Sequence, residues 1–117
     1  MRAPEVDRVR LIHILDAIRE LETNAYDITE QRLDEDAMIR YATVKLIEVI
    51  GEAANMLTKE LRQAHPEVPW PLIIGMRKRL VHDYFRIDTT VVAEVVREHI
   101  PPLKLQVETI LRGLPAG

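Results

Sequence analysis

The apolar positions of the chain fall mostly at helical spacing. Leu11, Ile14, Leu15, Ile18 and Leu21 recur at steps of three or four, which draws one stripe along a helix. The spacing predicts a helix over Glu5 to Ala25, with Pro4 at its start, where a missing N–H does no harm. The first half of TNAYDITEQRLDED lacks this period and reads as a loop. A second and longest helix is expected from Leu33 to Ala64, on a stripe of Ile39, Ala42, Leu46, Val49, Ile50, Ala53, Leu57 and Leu61. Gly51, Ala53 and Ala54 are small enough to let another helix approach. PEVPWP stops it, and Pro71 suits the first turn of a third helix over Trp70 to Tyr84. Asp88 or Thr89 can cap a fourth, TTVVAEVVREHI. Its β-branched residues stand in an otherwise helical pattern, so helix is expected there too. Pro101 and Pro102 kink or break it, and LKLQVETILRGL carries a last helix ended by Gly113 and Pro115. No strand and no internal repeat is expected. The pattern predicts an all-α, single-domain antiparallel bundle of four to five helices.

Composition narrows the chemistry. At 117 residues the chain suits one domain and can bury a core without staples. It has no cysteine, which excludes disulfides and thiolate metal sites. Aromatic residues are 4 % of the chain, too few for stacking platforms along single-stranded nucleic acid. No glycine-rich phosphate loop is present. The N-terminal segment interrupts its apolar residues with charge, unlike a signal peptide, and no apolar run is long enough for a bilayer. A cytoplasmic location is expected, with no membrane partner. The formal net charge is −3, so any polyanion must meet a local basic patch.

That patch is RKRLVHDY, residues 77–84. Arg77 can hold a phosphate with two hydrogen bonds, and Lys78, Arg79 and Arg86 add positive field. Histidine exchanges a proton near neutral pH, and Tyr84 offers a hydroxyl. RNA cleavage needs such groups: one to promote attack, one to protonate the leaving oxygen, and a cation to stabilise developing charge. The RNA 2′-hydroxyl can be the nucleophile, so no metal or cofactor is required in principle. The plainer reading is a helix end whose cations complement the dipole. Geometry sharpens the choice, because on one straight helix His82 lies about 140° around from Arg77. Either the helix ends or distorts near Leu80 to His82, or two chains supply the groups across a two-fold axis.

Several stretches together resemble the HEPN superfamily, and within it the HepT-type toxins paired with small nucleotidyltransferase antitoxins. The motif is arginine, four to six residues, then histidine, with tyrosine two positions later: Arg77, KRLV, His82, Asp83, Tyr84. DRVRLIHILDAI, KLIEVIGEAANMLTKEL, HPEVPWPLIIGMRKRLVHDYF and VVREHIPPLKLQVETIL resemble further family segments, so the likeness spans nearly the whole chain. It implies one HEPN/HepT-like domain over residues 1–117, a dimeric bundle and a metal-independent ribonuclease, tRNA being one candidate substrate. Arg77 and His82 would be the catalytic pair at a cleft between subunits. The resemblance also implies a toxin of type VII-like organisation, silenced when the partner antitoxin transfers AMP from ATP to Tyr84. Two positions depart from the pattern. Lys78 replaces a polar Asn, Asp or His and cannot accept a hydrogen bond, and Arg86 replaces a glycine. These departures keep a second function open, a non-catalytic nucleotide- or RNA-binding subunit of a nucleotidyltransferase complex. A purely structural dimerisation bundle is the third.

Glu52, inside IGEAA, can support the site by bonding to Arg77 or can simply edge the core, and Asp83 is a second supporting candidate. His13, His65 and His99 have no metal-ligand spacing and are expected at the surface or its boundary. Trp70, between two prolines, is expected to plug the linker. Asp34 to Asp36 read as a solvated helix start, or alternatively as a contact for a basic antitoxin surface.

Overall fold

The computed structural model describes residues 3–25, 27–83 and 86–115; for Ala3, His82 and Asp83 it describes the backbone alone. α1 spans Ala3–Ala25, and its stripe of Leu11, Ile14, Ile18 and Leu21 is wholly buried against α3 and α7. Burial of each such side chain stabilises the fold by roughly 1.5–3 kcal/mol before chain entropy is counted.

The long second helix expected from Leu33 to Ala64 is three helices: α2 (Glu30–Glu35), α3 (Ala37–Asn55) and α4 (Lys59–Ala64). Capping makes both breaks. Asp36 ends α2 in an extended conformation, and its carboxylate accepts from Ile39 N–H at 3.1 Å to start α3. Arg40 then donates to the Leu33 and Asp34 carbonyls at 2.9 and 3.2 Å, which serves the orphan end of α2. At the second break Thr58 accepts from Leu61 N–H at 3.2 Å. The apolar period runs on through both breaks, since Leu33, Leu57 and Leu61 are all buried. Ala42, placed on the stripe by spacing, is exposed, and the buried face of α3 runs through Thr43, Val44, Ile47, Ile50, Gly51, Ala53 and Ala54.

α5 runs from Trp70 to Leu80 rather than to Tyr84. Its stripe of Trp70, Ile73, Met76 and Leu80 packs mainly on α3. A Cβ at Gly51 would stand 3.2 Å from the Ile73 carbonyl oxygen and 3.5 Å from that of Ile74. Glycine therefore permits the close approach that the small residues suggested. Trp70 is buried and donates Nε1–H to the His65 carbonyl at 3.0 Å, plugging the proline linker as expected.

After α5 comes a ribbon where no strand was expected: β1 (Val81–Asp83) pairs antiparallel with β2 (Arg86–Ile87). The local run is rich in β-branched and aromatic residues, which suit a half-buried strand. Asp88 caps α6 (Thr89–Glu94) through Val91 N–H at 3.1 Å. A π-helical turn, Val95–His99, joins α6 to α7 (Ile100–Gly113). Prolines 101 and 102 bring no N–H to an α ladder, and Ile100 N–H reaches back five residues to the Val95 carbonyl. The chain thus continues helically through the prolines. Apart from the ribbon, the described elements are helical, and the architecture is the all-α bundle that the periodicity predicts. No helix of the described residues is long and apolar enough to cross a membrane.

Candidate active site

α5 delivers the basic run to the surface. With Met76 and Leu80 locked in the core, Arg77, Lys78 and Arg79 occupy the exposed part of its last turn. They complement the helix dipole, as the plainer reading requires. They do not, however, form one cluster. Arg77 donates Nε–H to Glu48 of α3 at 3.0 Å. Arg79, about 200° further round the helix, sits 3.9 Å from Glu94 of α6. Lys78 is exposed between them. Arg86 is exposed on β2 and has interactions of its own.

The carboxylate that holds Arg77 is Glu48, not the Glu52 suggested by sequence. Glu52 stands one turn along α3 and is exposed. Glu48 is 19 % exposed and Arg77 is 71 % exposed. The acid is therefore anchored beside the core while the guanidinium reaches outward. Its Nε carries the contact with Glu48, and a guanidinium this exposed can offer further donors to an anion. Lys45, at 3.9 Å from the same carboxylate, adds a weaker contact. Glu48 was not singled out by sequence because nothing local marks it. The signal was long-range: a carboxylate on the edge of α3, one turn before the Gly51 contact with α5.

Immediately after this turn the helix stops. Val81 takes φ −129° and ψ 115°, and Asp88 N–H closes on the Leu80 carbonyl at 2.7 Å. Val81 pairs with Ile87 and Asp83 with Arg86, so three residues of β1 face two of β2 and His82 is the extra one, in a bulge. The 140° helical-wheel separation of Arg77 and His82 therefore no longer holds. Of the two alternatives raised by the sequence, the helix end is realised within one chain. Tyr84 lies outside the described residues, as do the side chains of His82 and Asp83.

The other histidines have local partners: His65 lies 3.4 Å from Glu67, and His99 lies 3.6 Å from Glu94, while His13 is exposed. The acidic run has structural work in addition to solvation. Asp34 accepts from the Thr89 hydroxyl at 2.6 Å, Glu35 from Gln31 at 3.0 Å, and Asp36 caps α3.

The family described as "Ribonuclease HepT-like" matches residues 14–110. The chain belongs to this family. Its relatives bear matching names. "Putative RNase MJ1380" of Methanocaldococcus jannaschii is 34 % identical over 100 residues, covering 86 % of this chain and 92 % of that protein. "Putative RNase TTE0752" of Caldanaerobacter subterraneus is 37 % identical over 105 residues, covering 90 % and 94 %. "Probable ribonuclease HepT" of Thermococcus cleftensis is 33 % identical over 97 residues, covering 83 % and 88 %. No solved structure matches the chain. In this HepT-like chain the matched segment includes both halves of the Arg77–Glu48 pair and the whole ribbon.

Proposed function

We propose that the chain is a metal-independent endoribonuclease and the toxin of a toxin–antitoxin pair, with Arg77 and His82 as its catalytic residues. The observation that supports it best is the end of α5 at Leu80, which takes His82 off the helix that carries the outward-reaching Arg77. In the reaction, the 2′-oxygen attacks the adjacent phosphorus and the P–O5′ bond breaks. The products are a 2′,3′-cyclic phosphate and a 5′-hydroxyl. One proton leaves the 2′-hydroxyl and one is delivered to the 5′-oxygen. His82 serves proton transfer, and Arg77 stabilises the charge on the phosphoryl oxygens. Lys78 and Arg86 draw the RNA backbone towards this point.

Two chains pair into a dimer, and a partner nucleotidyltransferase silences the toxin by moving AMP from ATP to the Tyr84 oxygen, releasing pyrophosphate. The added phosphate brings bulk and negative charge next to the residues that bind the substrate phosphate. His82→Ala and Arg77→Ala should each abolish cleavage of cellular RNA in chelator, with circular dichroism unchanged. Cleavage by His82→Ala at the wild-type rate would overturn the assignment. Intact mass after production with the partner and ATP should rise by one or more adenylyl groups, and Tyr84→Phe should prevent it.

A second reading is favoured by Lys78, which cannot accept a hydrogen bond to orient Arg77 or His82. On that reading the chain binds nucleotide or RNA without cutting it. Growth arrest on expression without the partner separates the two, since only the nuclease arrests.

A further inference from the structure

A cavity of about 550 Å³ opens where α3, α4 and α5 meet, on the side of α5 that leads to Arg77. Ile74 and the buried Trp70 line it with apolar surface, and Asn55, Lys59, Arg62 and Gln63 supply its polar atoms. The size is in the range of small-ligand sites, and the mixture is the one such sites use. The Arg62 Nε is buried and has no hydrogen-bond acceptor. A buried, unpaired guanidinium nitrogen is uncommon and calls for a partner. The charged groups lining the cavity are both cations, so an anion fits and an acidic guest is favoured over a basic one.

We propose that this cavity is an RNA subsite holding a nucleotide next to the cleaved bond. This rests on the ribonuclease reading above and deepens it. Ile74 lies three residues before Arg77, a rise of about 4.5 Å along the helix. One strand can therefore pass from the cavity to Arg77 along a single face of the protein. Lys59 and Arg62 take a phosphate, Arg62 turning its fork so that Nε gains an acceptor. The amides of Asn55 and Gln63 each offer a donor and an acceptor, the equipment needed to read a base edge. Ile74 lies under the base. Glu52 follows Glu48 and precedes Asn55 on the same face of α3, at steps of four and three. It stands between the two phosphate positions and keeps the path from being uniformly cationic. The backbone then settles at the two basic ends rather than sliding between them.

The test uses the full chain and an uncleavable 2′-O-methyl oligonucleotide of mixed sequence, followed by fluorescence anisotropy over a range of salt. Lys59 is exposed, so Lys59→Ala should fold normally. It should weaken binding about three- to tenfold and lower the slope of log K against log salt by about 0.7, the value for one lost single-strand phosphate contact. Glu60→Ala, one residue along and off the cavity, should bind slightly tighter or unchanged. With cleavable RNA, Gln63→Ala should alter which nucleotides flank the cut positions. If Lys59→Ala binds with wild-type affinity and slope, the subsite is wrong even if the wild type cuts RNA normally, and the ribonuclease reading survives. If binding depends on Lys59 but wild type cuts no RNA, RNA binding at the cavity stands, while its place beside a cleaved bond falls with the ribonuclease reading. Failure of the wild type to bind the oligonucleotide overturns the subsite outright.

Discussion

On the proposed reading, Glu48 positions Arg77. Its carboxylate, anchored at the core edge, holds the exposed Arg77 through Nε. An exposed pair of this kind adds little to stability, about 0–1 kcal/mol, so its value lies in aim. Glu48→Gln should leave the melting temperature nearly unchanged. Loss of aim should lower kcat by roughly ten- to a hundredfold, as misplacement of a catalytic group does. Removing a negative charge beside the phosphate should tighten RNA binding. The split between kcat and affinity is the diagnostic, because a merely structural glutamate would move neither. A second residue-scale contact works the other way. Asp7 is 4 % exposed and accepts from Thr58 N–H at 2.8 Å and from the Thr58 hydroxyl at 2.7 Å. Asp7→Ala leaves those part-buried donors without their acceptor and should destabilise the fold by about 1–3 kcal/mol. Thr58→Ala in the same background should add less than it does alone, in a double-mutant cycle read by urea unfolding.

At the scale of elements, the α3–α5 contact governs the site. Gly51→Ala places a Cβ 3.2 Å from the Ile73 carbonyl oxygen, so α5 must yield by a few tenths of an ångström. Overpacking of this kind costs about 1–3 kcal/mol, and the shift travels along α5 to Arg77. Chemical denaturation should show the loss, and kcat should fall with it although Gly51 touches no substrate. The same elements show how far the sequence could be read. Helical period located α1, α3, α5, α6 and α7, because burial on one face repeats every three or four residues. It did not show the breaks at Asp36 and Thr58, where the apolar period continues and only the caps differ. It also carried α5 past Leu80. The ribbon depends on β1 finding β2, a pairing that periodicity within β1 does not encode. Arg77 could be picked out by its type and motif, whereas Glu48 could not, since its role comes from a helix contact 29 positions away.

For the whole molecule, the end of α5 changes what a dimer must do. A straight helix would have forced two chains to share each site, and the observed turn removes that necessity. The proposed two-fold pairing can still place Arg77 of one chain opposite His82 of its partner. Mixed dimers of Arg77→Ala and His82→Ala chains distinguish the cases. If each site draws on both chains, one of the two sites in the mixed dimer keeps both groups, and cleavage should return to about half the wild-type rate. If each chain is complete in itself, the mixture stays inactive. We expect recovery.

The contact between Asp7 and Thr58 joins residues 51 positions apart. During synthesis at roughly 5–20 residues per second, α1 therefore waits about 3–10 s before its partner in that contact has been made. Until α3 has been translated, which takes most of that interval, Leu11, Ile14, Ile18 and Leu21 have nothing of α3 to cover them. The nascent chain is most open to chaperones, to proteases and to other nascent copies of itself before its basic motif has been translated.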